Sequence, residues 1–196
     1  MAEKCKLCRR ENEKLFLKGD RCLSPKCSMV KKPYIPGVHG PKSRTRLSDY
    51  ARQLREKQKA KRYYLLTETQ FKNYFIEASN KEGNSSEIFW QYLEIRLDNA
   101  LRRFHIGKSI AGARQIVSHG LVEVNGKKVD VPSYRLKIGD QVKFKSKEKQ
   151  EISKQDLPEW LESKKSDNTF FVKAMPEIGN FELPFNINLV IEFYSK

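Results

Sequence analysis

The dipeptide Asn125-Gly126, set between two short alternating runs, constrains this chain more than any other local feature. A two-residue hairpin turn that follows the twist of its strands needs positive φ at both central residues, and Asn-Gly supplies it. Residues 121–124 and 127–131 are therefore expected to pair, with a further strand at 141–145 after the Gly139-Asp140 turn. Upstream, RLDNALRRF places Leu97, Ala100, Leu101 and Phe104 at i, i+3, i+4 and i+7. That spacing predicts an amphipathic helix, with Arg96, Arg102 and Arg103 on its opposite face. Ser109 is placed to cap a second helix and Gly120 to end it in the left-handed conformation. Ile110, Ala113, Ile116 and Val117 give that helix an apolar stripe, with Arg114 beside it. The stretch 96–144 thus reads as a helix pair beside a small antiparallel sheet.

Charge narrows the partner. The 196 residues carry a formal net charge of +15, and its distribution is lopsided. Residues 1–66 hold nineteen Lys/Arg against six Asp/Glu; residues 67–196 hold twenty against eighteen. A solvated face mixes its signs, whereas a basic half points to nucleic acid or an anionic membrane surface. No apolar run approaches a membrane span and the basic half lacks a broad hydrophobic stripe, so the membrane reading is weak. The start, MAEKCKLC, has neither an apolar core nor a cleavage-site pattern, and the cytoplasm is the expected compartment.

All four cysteines lie in the first thirty residues, as Cys5-x2-Cys8 and Cys22-x4-Cys27. Tetrahedral zinc wants four soft ligands, and two short-spaced pairs provide them, so one closed structural zinc ion is expected at Cys5, Cys8, Cys22 and Cys27. Disulfides would need an oxidising compartment, and a redox pair would leave the second pair unexplained; free thiols remain the other reading. Around the cysteines sit Arg9, Arg10, Lys14, Lys18 and Arg21.

Residues 31–47 interleave three prolines and two glycines with five basic residues, which reads as an extended arm, and Tyr34 and His39 add flat groups for stacking. A helix is expected over 48–66, capped by Ser48 and carrying Arg52, Arg55, Lys57, Lys59, Lys61 and Arg62 against only Asp49 and Glu56. Thr67-x-x-Gln70 predicts a capping box, with Phe71, Tyr74, Phe75 and Ala78 as a buried face; a further helix runs through Phe89, Trp90 and Leu93. Strands are expected to begin at Leu157–Leu161 and at 170–172, and the end of the chain is expected to carry a short strand at 189–191. Phe193 and Tyr194 are costly to expose, so the tail should pack.

No catalytic constellation emerges. Gly107-Lys108-Ser109 resembles the tail of a phosphate loop, but Arg102 stands where the first glycine is required. The three histidines are scattered, and His119 sits at a helix C-terminus where a cation favours the dipole. An enzyme and a small-molecule substrate are not expected.

The residues Arg96-Leu97-Asp98-Asn99, Ala113-Arg114-Gln115, His119-Gly120, Val124-Asn125-Gly126, Pro132-Ser133-Tyr134 and Gly139-Asp140 resemble the small RNA-binding module named after ribosomal small-subunit protein four. Cys5-Lys6-Leu7-Cys8-Arg9-Arg10, Leu15-Phe16-Leu17-Lys18, Pro33-Tyr34, Gln53-Leu54-Arg55-Glu56-Lys57 and the terminal Glu192-Phe193-Tyr194-Ser195-Lys196 extend the resemblance to the whole family, in its bacterial, zinc-binding form.

The resemblance implies an α+β chain with three parts. A zinc knuckle and basic arm occupy 1–45, and a mainly helical domain occupies 46–93, joined by the tail 186–196. The RNA-binding module with extra strands occupies 94–185. It also implies a structural constituent of the small ribosomal subunit that binds 16S rRNA early in assembly of the subunit body. The family lines the channel where mRNA enters and contributes to accuracy through neighbouring small-subunit proteins. Phosphates, 2′-hydroxyls and shape carry recognition of A-form RNA, so a basic surface across a junction is selective without a base code. The candidate RNA-binding residues are Arg9, Arg10, Lys42, Arg44, Arg46, Arg52, Arg55, Lys57, Lys59, Lys61, Arg62, Arg102, Arg103, Ser109, Arg114, Lys127 and Lys128, with Lys42, Arg44 and Arg46 toward mRNA. Three positions depart from the family pattern. Ile110 stands for a usual arginine, which removes one expected phosphate contact; Leu121 stands for a common histidine and His105 for a common glycine.

Overall fold

The chain divides into two units, residues 1–89 together with 182–196, and residues 90–181, in a computed structural model that describes residues 4–42, 46–145, 157–163, 168–180 and 183–195. The first unit is helical. Its N-terminal segment forms α1 (Lys4–Glu11), α2 (Asp20–Leu23) and α3 (Ser28–Lys31), with Leu15 and Leu17 buried against Cys8. Among its described residues the arm carries one 3-10 turn, at Gly40–Lys42. The basic helix α4 (Asp49–Tyr63) starts where Ser48 accepts a hydrogen bond from the Ala51 amide at 3.3 Å. Next, α5 (Glu68–Ser79) opens on a complete capping box between Thr67 and Gln70. Its Phe71, Tyr74 and Ala78 are buried as expected, and Phe71 meets Phe89 edge to face at 5.1 Å. Asn84 caps α6 (Ser85–Glu94) through the Ser86 amide.

The second unit contains α7 (Leu97–Arg103), α8 (Ile110–Ser118) and a five-stranded antiparallel sheet of order β2-β1-β3-β5-β4. The strands are β1 (Val122–Val124), β2 (Lys127–Lys128), β3 (Gln141–Phe144), β4 (Leu161–Ser163) and β5 (Thr169–Val172). The Asn125-Gly126 turn is as expected: φ is 51° and 78°, and Val124 pairs with Lys127. Asn125 also ties this hairpin to the Gly139-Asp140 turn, donating to Asp140 at 2.8 Å and accepting from the Gln141 amide at 2.9 Å. Leu97, Leu101, Phe104, Ala113 and Val117 close on Val122, Val142 and Phe170 in one core, with Phe104 stacked on Phe170 at 4.6 Å.

Several expectations need correction. The tail is not a strand but α9 (Ile187–Tyr194), started by Asn186, whose side chain accepts from the Asn188 and Leu189 amides. Ile187 and Val190 are its buried pair, at i and i+3, and α9 packs on α4. Residues 157–160 form a turn, so the strand expected there begins only at Leu161. The strand expected over 127–131 shrinks to two residues, because Pro132 has no amide to donate and the chain turns, the Tyr134 amide bonding Val131 O. Arg96 does not lie on an exposed face; it is 2% exposed.

Candidate RNA-binding surface

Helix α4 was expected to present a nearly unopposed row of cations, and it does not. Acids distant in sequence converge on it. Glu11, at the end of α1, is buried and takes hydrogen bonds from Arg55 at 3.2 Å and from Arg62. Burial pushes the Glu11 carboxyl up and these arginines oppose that shift. Glu68 takes Lys57 at 2.6 Å, Lys61 at 2.8 Å and the Tyr194 hydroxyl at 3.0 Å. Its partial burial works against ionisation, but those three donors prevail and bring its pKa down to about 2. Lys59 pairs with Glu56, which also accepts from the Asn186 amide, and Gln53 donates to Glu192 at 2.9 Å. The Lys57 ammonium lies 4.4 Å from the centre of the Phe193 ring. So α4 is a hub that ties α1, α5 and α9 together. Of the cations on this helix only Arg52 is exposed, its contact with Asp49 stretched to 3.9 Å.

The arginines of the second unit are similarly committed. Asp98 is fully buried and receives Arg96 through two bonds, at 3.1 and 2.8 Å, and Arg114 through two, at 3.0 and 2.6 Å. Glu94, also fully buried, receives Arg103 at 2.9 and 2.8 Å and Asn99 at 2.8 Å; Asn99 in turn accepts from Arg102 at 2.7 Å. The first amides of α7 find the carbonyls of Tyr134 and Pro132, which explains why a loop with Pro132-Ser133-Tyr134 belongs beside Arg96-Leu97-Asp98-Asn99. Ser109 is occupied as a cap, accepting from the Gly112 amide at 3.3 Å. Ile110 is 2% exposed and belongs to the interior.

Of the residues first proposed for RNA, a sparser set remains at the surface. Arg10, Lys42, Arg46 and Arg52 are exposed in the first unit, and Lys127 and Lys128 on the β2 edge in the second. Arg44 lies outside the described residues. Arg9 is half turned inward: its Nε donates to Tyr34 O at 2.9 Å, and its guanidinium sits 4.7 Å from the Tyr34 ring centre. That contact pins the arm to α1. Sequence reasoning found the cations but not their partners, Glu11, Glu68, Glu94 and Asp98. The only local sign of them was the presence of acids in otherwise basic or apolar runs.

No disulfide joins the four cysteines; Cys8, Cys22 and Cys27 are buried, and Cys5 is partly so. They line one small cavity together with Leu17 and Lys18. The Lys18 amide donates to Cys22 Sγ at 3.4 Å, the kind of donor a thiolate ligand needs. Burial pushes the Cys8 and Cys22 thiols up. Among the described residues, no three His, Cys, Asp or Glu side chains are grouped as metal ligands are.

Comparison with known proteins matches this architecture. Residues 1–94 fit the Ribosomal protein S4/S9 N-terminal domain and residues 95–142 the S4 domain. The small ribosomal subunit protein uS4 of Thermus thermophilus is 45% identical over 201 residues, covering 98% of this chain and 96% of the relative. The chain belongs to the ribosomal protein S4 family. Other S4-family relatives agree. The uS4 of Acetivibrio thermocellus is 45% identical with the same coverage, and uS4A of Alkaliphilus metalliredigens is 47% identical over 202 residues, 98% of this chain and 96% of the relative. These relatives are bacterial, and the S4 family is structural rather than catalytic.

Proposed function

We propose that this protein is a structural constituent of the small ribosomal subunit and binds 16S rRNA directly, acting in the cytoplasm as part of the ribosome. The observation that carries the reading is likeness to small-subunit proteins over 98% of the chain. Exposed cations in both units suit it, since each unit offers phosphate contacts of its own. The inward arginines and lysines act first on the protein, fixing the backbone from which the exposed ones reach RNA. Among the described residues no helix is long and apolar enough to cross a membrane.

Finer parts of the proposal follow from the resemblance. Binding comes early and nucleates the subunit body. Lys42, Arg44 and Arg46 face the channel where mRNA enters, and neighbouring small-subunit proteins meet this chain in a way that affects accuracy. Exposure of Lys42 and Arg46 supports the mRNA role. One structural zinc ion would be held by Cys5, Cys8, Cys22 and Cys27; their common cavity and the Lys18 amide fit it. When bound, zinc supplies a crosslink for a segment that is too short to bury a core of its own.

A competition assay tests the main reading. Labelled 16S rRNA should be displaced by unlabelled 16S rRNA and hardly by duplex DNA; preference for the duplex would overturn it. For the metal, protein purified without reductant should carry one equivalent of zinc and yield its thiols to a titrant only after chelation. Metal-free protein with four titratable thiols would overturn that part.

A further inference from the structure

In the first unit an open cleft of about 490 Å³ lies between the end of α1 and the C-terminal segment. Asn12, Glu13, Lys14, Phe16, Met29 and Pro184 are among its lining residues. Phe16 is the unusual one. Its neighbours Leu15 and Leu17 are each 1% exposed, yet Phe16 is 44% exposed. Its φ is 50°, a left-handed conformation that a bulky side chain adopts only at a cost. Asn12 is also left-handed, with φ 54°, which turns the chain at the end of α1. The backbone therefore buries two leucines and presents one aromatic ring at a cleft.

We infer that this cleft receives a single unstacked RNA nucleotide, its base lying on Phe16. The chemistry of the lining favours this occupant over an apolar side chain. Asn12 offers a donor and an acceptor and Glu13 an acceptor for a base edge. Lys14, which has no ion-pair partner among the described residues, offers a cation for the phosphate. The surrounding N-terminal segment is strongly basic, and its buried acid Glu11 is already neutralised by two arginines. The volume admits one nucleotide with room to spare, and single-stranded RNA bases are commonly held on aromatic rings in this way. The inference rests on the rRNA-binding reading above.

The test uses full-length protein and naked 16S rRNA. Phe16→Ala should weaken binding roughly ten-fold or more, because it removes a stacking contact. The slope of log affinity against log salt should stay unchanged, because no charge is lost. Phe16→Trp should keep wild-type affinity, and its added emission should be quenched as RNA saturates the protein. Wild-type affinity in a folded Phe16→Ala protein, or an unquenched Phe16→Trp, would overturn the inference and leave the rRNA-binding reading standing. Normal affinity for naked RNA together with poor incorporation into particles that contain other small-subunit proteins would also overturn it, in favour of a protein side chain. If wild-type protein ignored 16S rRNA, the broader reading would fail instead.

Discussion

His105 pays for a place in which glycine would sit freely. Among the described residues four helices end in the same turn, where the amide one residue past the cap reaches back to one carbonyl and the next amide to the carbonyl before it. The left-handed residue is Asn12 after α1, Leu65 after α4, His105 after α7 and Gly120 after α8. Only Gly120 carries no steric cost there. His105 is exposed at φ 59°, so His105→Gly should stabilise the protein by about 1 kcal/mol. Urea unfolding checks it; a loss of stability would contradict the steric account. Asp98 lies at the other extreme. It is fully buried and shared by Arg96 and Arg114, and Arg114 alone can swing toward water. Asp98→Asn removes the buried charge that both arginines bond and should cost about 3–5 kcal/mol. A cost below about 1 kcal/mol in the same assay would contradict that.

At the scale of elements, the junction of α4, α5 and α9 turns on Glu68. Its carboxylate titrates at about 2 instead of an ordinary 4.5. That contribution to stability is therefore complete above about pH 4.5 and is lost as pH falls from 4.5 toward 2. Acid unfolding followed by circular dichroism should show wild type losing stability across this window, and Glu68→Gln should flatten the slope; equal slopes would contradict the assignment. Helix α8 depends on a close approach at its start. A Cβ on Gly112 would run into the Gly107 carbonyl, and Gly107, at φ 80°, has no freedom to take a side chain itself. Gly112→Ala should lower the thermal midpoint by several degrees; an unchanged midpoint would show that the loop yields.

Elements governed by local rules were legible in advance. The Ser48, Thr67 and Ser109 caps, the Asn125-Gly126 turn and the α7 stripe each follow from a few adjacent residues. Helix α9 was not, because Leu189-Val190-Ile191 has strand-like branching, and packing on α4 selected the helix. Asn186 ahead of Ile187 and Val190 was the cue. The charge partners were also illegible: Arg62 and Glu11 lie 51 positions apart, and no local spacing announces such a pair.

Across the whole molecule, a net charge of +15 does not mean a uniform cationic surface. Most of the arginines and lysines first proposed for RNA are bonded to carboxylates or carbonyls of this chain, and they hold its helices and sheet in register. Six of those proposed residues, Arg10, Lys42, Arg46, Arg52, Lys127 and Lys128, are exposed, and they lie on both units. The proposed division of labour is that inward cations brace the fold and outward ones meet RNA. Its most direct test is a titration of full-length protein with 16S rRNA at several salt concentrations. About six phosphate contacts should reduce affinity by roughly 10³ between about 50 and 200 mM salt. Replacing Lys127 and Lys128 with alanine should make that dependence shallower by about one unit of slope per lysine while the melting temperature stays put. Salt-independent binding, or a double variant with an unchanged slope, would contradict the account.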